Sequence, residues 1–178
     1  MGGPELFVRG AGKYVDDINL PHTLHMAVVR SPHARAKVLS VKGGINRDDL
    51  KVPIGGFGEG AWGGKLNPAL MHPVFAQDTV NYVGQVVAAV FADDRYVAED
   101  KLDEVTVEYE KLKPIMTIDD ALSGEPIHAG TESNIIRQSK MGNDFDDPKS
   151  PVVLEDEFTI GRIVNNPLET RGIVADYD

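Results

Sequence analysis

The feature that most constrains the fold is an unbroken apolar run that leads directly into a polar turn. The run, Val86 to Ala92, lies within the stretch VNYVGQVVAAVFA, Val80 to Ala92. Such continuous hydrophobicity is typical of a strand that is covered on both faces. Asp93 or Asp94 follows at the position where a helix N-cap is needed, so the sequence predicts that a short helix begins here.

Beyond this cap the spacing of the apolar residues changes from that of a helix to that of a strand. Ala98, Leu102 and Val105 recur at helical spacing and share one face of the predicted helix. From there Val105, Val107 and Tyr109 alternate with polar residues, which predicts a strand with one face in water. The polar positions are Thr106, Glu108 and Glu110. A strand, a helix and a strand in succession favour a right-handed crossover.

Weaker patterns predict the other elements and a break between two domains. Strands are predicted at 22–30, 36–41, 152–160 and 172–177, and a helical turn at 117–122. The polar stretch 126–151 is typical of a linker. We therefore expect one domain at 1–125 and the first strands of a second domain at 152–178.

Composition excludes several classes of function. The chain of 178 residues carries a formal net charge of −10 and has no basic block, which argues against binding to nucleic acid. It has no cysteine, so disulfides, thiolate catalysis and iron–sulfur ligation are excluded for this sequence. No apolar run is long enough to span a membrane and no signal core is present. We therefore expect no membrane association and a cytoplasmic location.

A glycine-rich stretch at Gly55–Lys65, GGFGEGAWGGK, matches the spacing of a dinucleotide-binding fingerprint. That fingerprint works only between a strand and a helix N-terminus, because backbone N–H groups and the helix dipole hold the pyrophosphate. Pro53 precedes the stretch, and Pro68 and Pro73 interrupt the segment where the helix should follow. The context favours a surface loop. The alternative function is a stand-alone interaction module, or a small nucleotide or phosphate binder that uses this loop.

Histidines and acidic pairs offer no convincing metal or catalytic site. His22 and His25 are three positions apart in a predicted strand and project to opposite faces, so they cannot chelate one metal together. The acidic pairs stand where turns or helix caps are expected, and capping accounts for them without chemistry. The pairs are Asp16–Asp17, Asp93–Asp94 and Asp119–Asp120. Local chemistry therefore predicts neither catalytic residues nor metal ligands.

Three ordered stretches carry a resemblance to a known family. The stretches are RGAGKYVDDINLPHTLHMAVVRSPHARAKVLSV, VNYVGQVVAAVFADDRYVAEDKLDEVTVEYEKLKP and NNPLETRGIVADYD. They resemble the large, molybdenum-binding subunit of the molybdenum hydroxylases. This family includes xanthine dehydrogenase, aldehyde oxidoreductases and aerobic carbon monoxide dehydrogenase, and the last type looks the most similar. The third stretch is similar to the P-x-E-x-R-G stretch of the family.

The resemblance implies a fold and a role. It implies an α+β hammerhead domain, with a mixed sheet and short helices, up to residue 125, and the beginning of the molybdopterin-binding domain at 152–178. In this family the pterin-contacting loops and the catalytic glutamate follow the P-x-E-x-R-G stretch. We therefore expect a non-catalytic hammerhead domain or split subunit of a molybdenum-dependent hydroxylase, inactive alone. Molybdopterin is expected in the partner or in a missing region.

The resemblance also implies partners and candidate site residues. Asn166, Glu169 and Arg171 are candidates for a composite site by their position in the family stretch. An ion pair between Glu169 and Arg171 is the competing interpretation. The expected partners are the molybdenum-binding region of the large subunit, together with iron–sulfur and flavin subunits. An unpaired strand at GIVADY would also allow a homo-oligomer through the exposed C-terminal strand.

Overall fold

The computed structural model describes residues 4–54, 68–136, 152 and 154–177. The chain divides into two compact units. The core unit comprises residues 24–139, and the terminal unit combines residues 1–23 with residues 140–178. The glycine-rich stretch Gly55–Lys65 and most of the predicted linker lie outside the described residues.

The helices and strands are short. The strands are β1 (His25–Arg30), β2 (Ala36–Lys42), β3 (Ile45–Asn46), β4 (Pro53–Ile54), β5 (His72–Pro73), β6 (Thr79–Val80), β7 (Val86–Ala92) and β8 (Thr106–Lys111). The α-helices are α1 (Pro4–Val8), α2 (Arg95–Asp100) and α3 (Ile118–Ser123). Single 3-10 turns occur at Val15–Asp17, Pro68–Leu70 and Lys101–Glu104.

Two three-stranded sheets form the core unit, together with a small β4–β5 ladder. One sheet has the order β1–β7–β3 and the other has the order β6–β2–β8. Every ladder among the described residues is antiparallel. In β7 the residues from Val87 to Val90 are buried in succession, which confirms the prediction of a strand covered on both faces.

The stretch Val80–Ala92 is divided between the two sheets. Thr79–Val80 belongs to β6, whereas β7 begins at Val86. Between them Gly84 has a φ of +90°, a left-handed conformation that glycine adopts without steric cost and that ends an extended run. Only the continuous apolar part of the stretch, Val86–Ala92, forms β7, and its burial was predicted correctly.

The hydrophobic core joins the two sheets. Its buried members come from both of them and from the chain before β6; they are Ala36, Val38, Ala76, Val80 and Val87. Val41, Val107 and Tyr109 are partly buried and pack against this cluster. Val107 and Tyr109 are the inward positions of β8, while Thr106, Glu108 and Glu110 are exposed. The predicted half-buried strand is confirmed.

Helix α2 begins where the sequence predicts. The Asp94 carboxylate accepts hydrogen bonds from the backbone N–H groups of Tyr96 and Val97, at 2.8 and 3.3 Å. Ala98 is buried as the helix packs against β1 and β7. The predicted turn near 117–122 is α3, which the Thr117 hydroxyl caps by accepting from the N–H of Asp120.

The predicted right-handed crossover is wrong. Strands β7 and β8 lie in different sheets, and β8 pairs with β2 in antiparallel register. The physical reason is that β1 and β3 already occupy both edges of β7. Strand β8 has only one apolar face, which is covered by packing on the core between the sheets instead.

Three further predictions of extended structure are wrong. The described residues at 152–160 and 172–177 form no strand, and they are exposed. Alternation alone cannot make a strand, because its backbone groups need a partner ladder and no described residue supplies one. His22 also precedes β1 and adopts a φ of +62°, so it does not share a strand with His25.

The architecture of short helices with antiparallel sheets confirms the predicted α+β class. Among the residues that the structure describes, none of the helices is both long and apolar enough to pass through a bilayer.

Candidate functional site

The three candidate residues lie on an exposed stretch of the terminal unit, residues 154–177, which we call the C-terminal segment. Asn166, Glu169 and Arg171 are all exposed. No ion pair joins Glu169 to Arg171 in the described part of the chain, because the Glu169 carboxylate contacts a different group. The structure therefore does not bring the three side chains together as one cluster.

Glu169 contacts the start of the chain. Its carboxylate oxygen Oε1 accepts a hydrogen bond of 2.7 Å from the backbone N–H of Val15, 154 positions earlier. This donor belongs to residues 4–23 of the terminal unit, which we call the N-terminal segment. A hydrogen bond from a neutral donor to an ionised carboxylate is stronger than one between neutral groups.

The N-terminal segment forms a local turn that presents this N–H. Residues Val15–Asp17 make a single 3-10 turn, and the carboxylate of Asp17 accepts from the N–H of Tyr14 at 2.9 Å. The ring of Tyr14 lies 5.6 Å from that of Phe7, which ties the turn to α1. Within the turn Asp17 accepts from the N–H of Tyr14, and the N–H of Val15 donates to Glu169 instead.

Gly172 makes a second contact with Val15. A Cβ atom at this glycine would lie 2.8 Å from Cγ1 and 3.0 Å from Cβ of Val15, so only glycine fits without a shift of the neighbour. Gly172 ends the P-x-E-x-R-G stretch, whereas no sequence pattern marks Val15. The spacing of Glu169 and Gly172 in this stretch is the one local sequence signal for the contact. It does not show that Val15 is the residue they contact.

Two acidic pairs carry out the capping that the sequence predicts. Asp17 closes the turn at Tyr14, and Asp94 caps α2. Asp119 and Asp120 lie in the first turn of α3, where Thr117 is the cap. The described residues contain no group of three or more His, Asp or Glu side chains arranged to hold a metal ion.

A small aromatic and polar cluster lies beside the core. The rings of His33 and Tyr109 meet edge to face, with 5.0 Å between their centroids. The hydroxyl of buried Ser31 bonds to the backbone of His33, accepting from its N–H and donating to its carbonyl, at 3.0 Å each. Burial raises the pKa of Tyr109, and the nearby Ser31 hydroxyl offsets part of that rise. Tyr109 is therefore a protonated packing residue at neutral pH.

His128 is the other described residue whose pKa is shifted from its ordinary value. Burial lowers the pKa of His128, and the charge of His72 lowers it further. Both causes disfavour the cation, so His128 carries less charge at a given pH than a histidine in water. Two histidines alone do not make a closed metal site, which needs further ligands.

The apolar side chains of the C-terminal segment are exposed along its length. Leu168 is 98% exposed and Leu154 is 92% exposed. The others that exceed three quarters exposure are Phe158, Ile160, Ile163, Val164, Ile173 and Tyr177. Exposed apolar side chains are therefore concentrated on this one segment.

The core unit has a shallow groove at the outer face of β7. It lies between the end of β7 and α2, and its lining combines apolar and charged residues: Leu24, Phe91, Ala92, Asp93, Asp94, Val97 and Lys101. Asp94 is already occupied as the cap of α2, and the Lys101 ammonium donates to the carbonyl of Phe91 at 3.1 Å. Two of its three charged side chains, Asp94 and Lys101, are therefore used within the fold.

Comparison with known proteins places the chain in a family. The chain is 32% identical to the nicotine 6-hydroxylase large subunit of Paenarthrobacter nicotinovorans, over 96% of this chain and 23% of that protein. It is 30% identical to the carbon monoxide dehydrogenase large chain of Hydrogenophaga pseudoflava, over 97% of this chain and 24% of that protein. The chain thus spans about a quarter of the length of these relatives.

A solved structure shows the same fold. The Cu,Mo-containing carbon monoxide dehydrogenase, in its carbon monoxide-reduced state, superposes with a TM-score of 0.52 at 28% identity, over 66% of this chain and 16% of that one. The family model of the aldehyde oxidase and xanthine dehydrogenase a/b hammerhead domain matches residues 9–113. That range contains β1 to β8 and most of the core unit. The resemblance found in the sequence is confirmed, and the chain belongs to the aldehyde oxidase and xanthine dehydrogenase a/b hammerhead domain family.

Proposed function

We propose that this chain serves as the hammerhead domain of the large subunit of a molybdenum-dependent hydroxylase or oxidoreductase, and that its C-terminal segment docks onto the molybdenum-binding region. The supporting observation is the exposed apolar surface of residues 154–177, which has no strand ladder among the described residues. An exposed apolar segment without a ladder partner can add to the sheet edge of another region.

The energetics of this surface are compatible with docking. Burying one large apolar side chain contributes about 1.5–3 kcal/mol. Burying four of those in the C-terminal segment would contribute about 6–12 kcal/mol. Association costs about 4–15 kcal/mol in lost freedom, so several of these side chains must be buried together. Loss of one or two should therefore weaken docking measurably.

The assignment of cofactor, partners and location follows the family resemblance. Molybdopterin would be held by the region onto which this domain docks, and would supply oxidative hydroxylation with oxygen taken from water. Iron–sulfur and flavin subunits would accept the electrons, and the assembly would be cytoplasmic. In this proposal the hammerhead domain corresponds to residues 1–125, and residues 152–178 belong to the beginning of the molybdopterin-binding domain. Asn166, Glu169 and Arg171 would lie near their boundary with the molybdenum-binding region.

The test is recovery of molybdenum with the tagged chain from its native host. We expect molybdenum to be recovered together with the region that holds it. Phe158→Asp and Ile160→Asp should reduce the recovered molybdenum about tenfold, because each places a charge in the docked surface. Met116→Asp is the matched control, since Met116 is 72% exposed but lies in the core unit. It should leave recovery unchanged.

Two outcomes would contradict this proposal. Recovery of a metal-free chain without a partner would oppose a role in a molybdenum enzyme. A metal-free dimer that Phe158→Asp and Ile160→Asp disrupt would instead make a second copy of this chain the occupant of the surface.

A further inference from the structure

We infer that Glu169 and Gly172 form a latch that fastens the C-terminal segment to the N-terminal segment, with Val15 as its receptor. The inference is independent of the proposed docking, because both halves of the latch belong to this chain. It assigns Glu169 the role of an intrachain anchor within the terminal unit.

The first half of the latch is the hydrogen bond between Glu169 and Val15. Its length of 2.7 Å, between carboxylate Oε1 and backbone nitrogen, is that of a strong bond to a charged acceptor. The first N–H groups of a helical turn have no partner within that turn. Asp17 satisfies the N–H of Tyr14, and the Glu169 carboxylate satisfies the next one.

The second half of the latch is steric. The missing side chain at Gly172 lets the backbone approach Val15 so closely that a Cβ atom would lie 2.8 Å from Cγ1. Gly161 lies on the same segment and would meet nothing within 4 Å. Close approach is therefore a property of position 172 and is not shared by every glycine of the segment.

The two contacts converge on one residue from positions three apart. The hydrogen bond orients the side chain of Glu169 towards Val15. The close packing of Gly172 sets the distance between the backbone of this stretch and Val15. Residues 169–172 are thereby held against the 3-10 turn, and Arg171 is carried on the same held stretch. Loss of Glu169 would release the stretch from the N-terminal segment.

Amide hydrogen exchange at Val15, measured by NMR on the full chain, tests the hydrogen-bonded half. We expect Glu169→Ala to raise the exchange rate of this amide about tenfold. Glu169→Gln retains an oxygen acceptor and should restore most of the protection. Glu157→Ala, on the same segment, is the control and should change nothing. Unchanged exchange in Glu169→Ala would overturn the latch, as would an equal loss of protection in β7.

A cysteine pair tests the steric half without relying on stability. The chain has no natural cysteine, so the pair Val15→Cys and Gly172→Cys can be oxidised on a clean background. A Cβ at position 172 would lie 3.0 Å from that of Val15, which is shorter than the roughly 3.8 Å of a disulfide by about 0.8 Å, so a small local shift allows the bond to form. The pair Val15→Cys and Gly161→Cys is the control. We expect an intramolecular disulfide, detected by mass spectrometry, in the first pair only; equal yields, or none in either pair, would overturn the inference.

Discussion

The core unit and the terminal unit use apolar residues in opposite ways. In the core unit Val80 and Val87 are fully buried between two antiparallel sheets. In the terminal unit no described residue is buried, and Leu168 is almost fully exposed. Two residues of its C-terminal segment, Glu169 and Gly172, contact Val15 of its N-terminal segment. Apolar composition therefore does not by itself say whether a segment forms a core or a surface for another region.

The largest effect is expected when a valine is replaced by alanine in each of the two units. Val87→Ala removes two methyl groups from a fully buried position and should lower the free energy of unfolding by about 2 kcal/mol. Val164→Ala, at a residue that is 79% exposed, should change it by less than about 0.5 kcal/mol. Denaturant unfolding followed by circular dichroism measures both. Equal effects would mean that the two units share one core.

The next largest effects come from glycine substitutions, which separate backbone strain from a steric clash of the added Cβ atom. Gly44 has a φ of +63°, and a Cβ there would lie 2.8 Å from the carbonyl oxygen of Ala89 in β7. Gly44→Ala should therefore cost about 2 kcal/mol or more, from the left-handed backbone and the clash together. Gly84→Ala has the strain but open space, and should cost about 1 kcal/mol.

The terminal unit supplies the matching control for these glycines. Gly161→Ala meets nothing within 4 Å and should leave thermal unfolding unchanged. If Gly44→Ala were as mild as Gly161→Ala, the close approach of the turn before β3 to β7 would be contradicted.

Capping residues provide a smaller comparison. Asp94→Ala removes the acceptor for two N–H groups at the start of α2 and should lower the free energy of unfolding by about 1 kcal/mol. Asp17→Ala removes a similar bond from the turn of the terminal unit. We expect it to leave the main unfolding transition unchanged, because the buried core lies elsewhere. A shared loss of midpoint denaturant concentration would show that the two units unfold as one.

The smallest expected effect is a pH dependence carried by His128. Its pKa is lowered in the folded chain by burial and then by the charge of His72. Below the usual histidine pKa of about 6.5 the unfolded chain binds more protons, so stability should fall as the pH is lowered towards the folded pKa. His128→Gln should reduce this slope, and His72→Gln should reduce it less. An unaltered slope in His128→Gln, in unfolding measured between pH 7.5 and 5, would contradict the assignment.

Sequence patterns predicted the elements whose causes are local. The burial of β7, the Asp94 cap and the alternation in β8 each depend on residues a few positions apart, and all three are confirmed. The sheet to which β8 belongs depends on which edges are already occupied, and the edges of β7 are taken by strands that come much earlier. That information is not contained in the strand–helix–strand succession, so the predicted crossover was wrong.

The candidate site was predictable only in part for the same reason. Family resemblance drew attention to Glu169, but its receptor lies in a turn that no period or motif marks. Alternation at 152–160 correctly located apolar residues and wrongly implied a strand, because a ladder requires a neighbour that the pattern cannot supply.

The spacing of the Glu169–Val15 contact also sets an order of events during synthesis. Val15 leaves the ribosome 154 residues before Glu169 does. At ordinary elongation rates that interval is roughly 8 to 30 seconds. Throughout it the N–H of Val15 lacks the Glu169 carboxylate, so the N-terminal segment gains this contact only after almost the whole chain between the two residues has been synthesised.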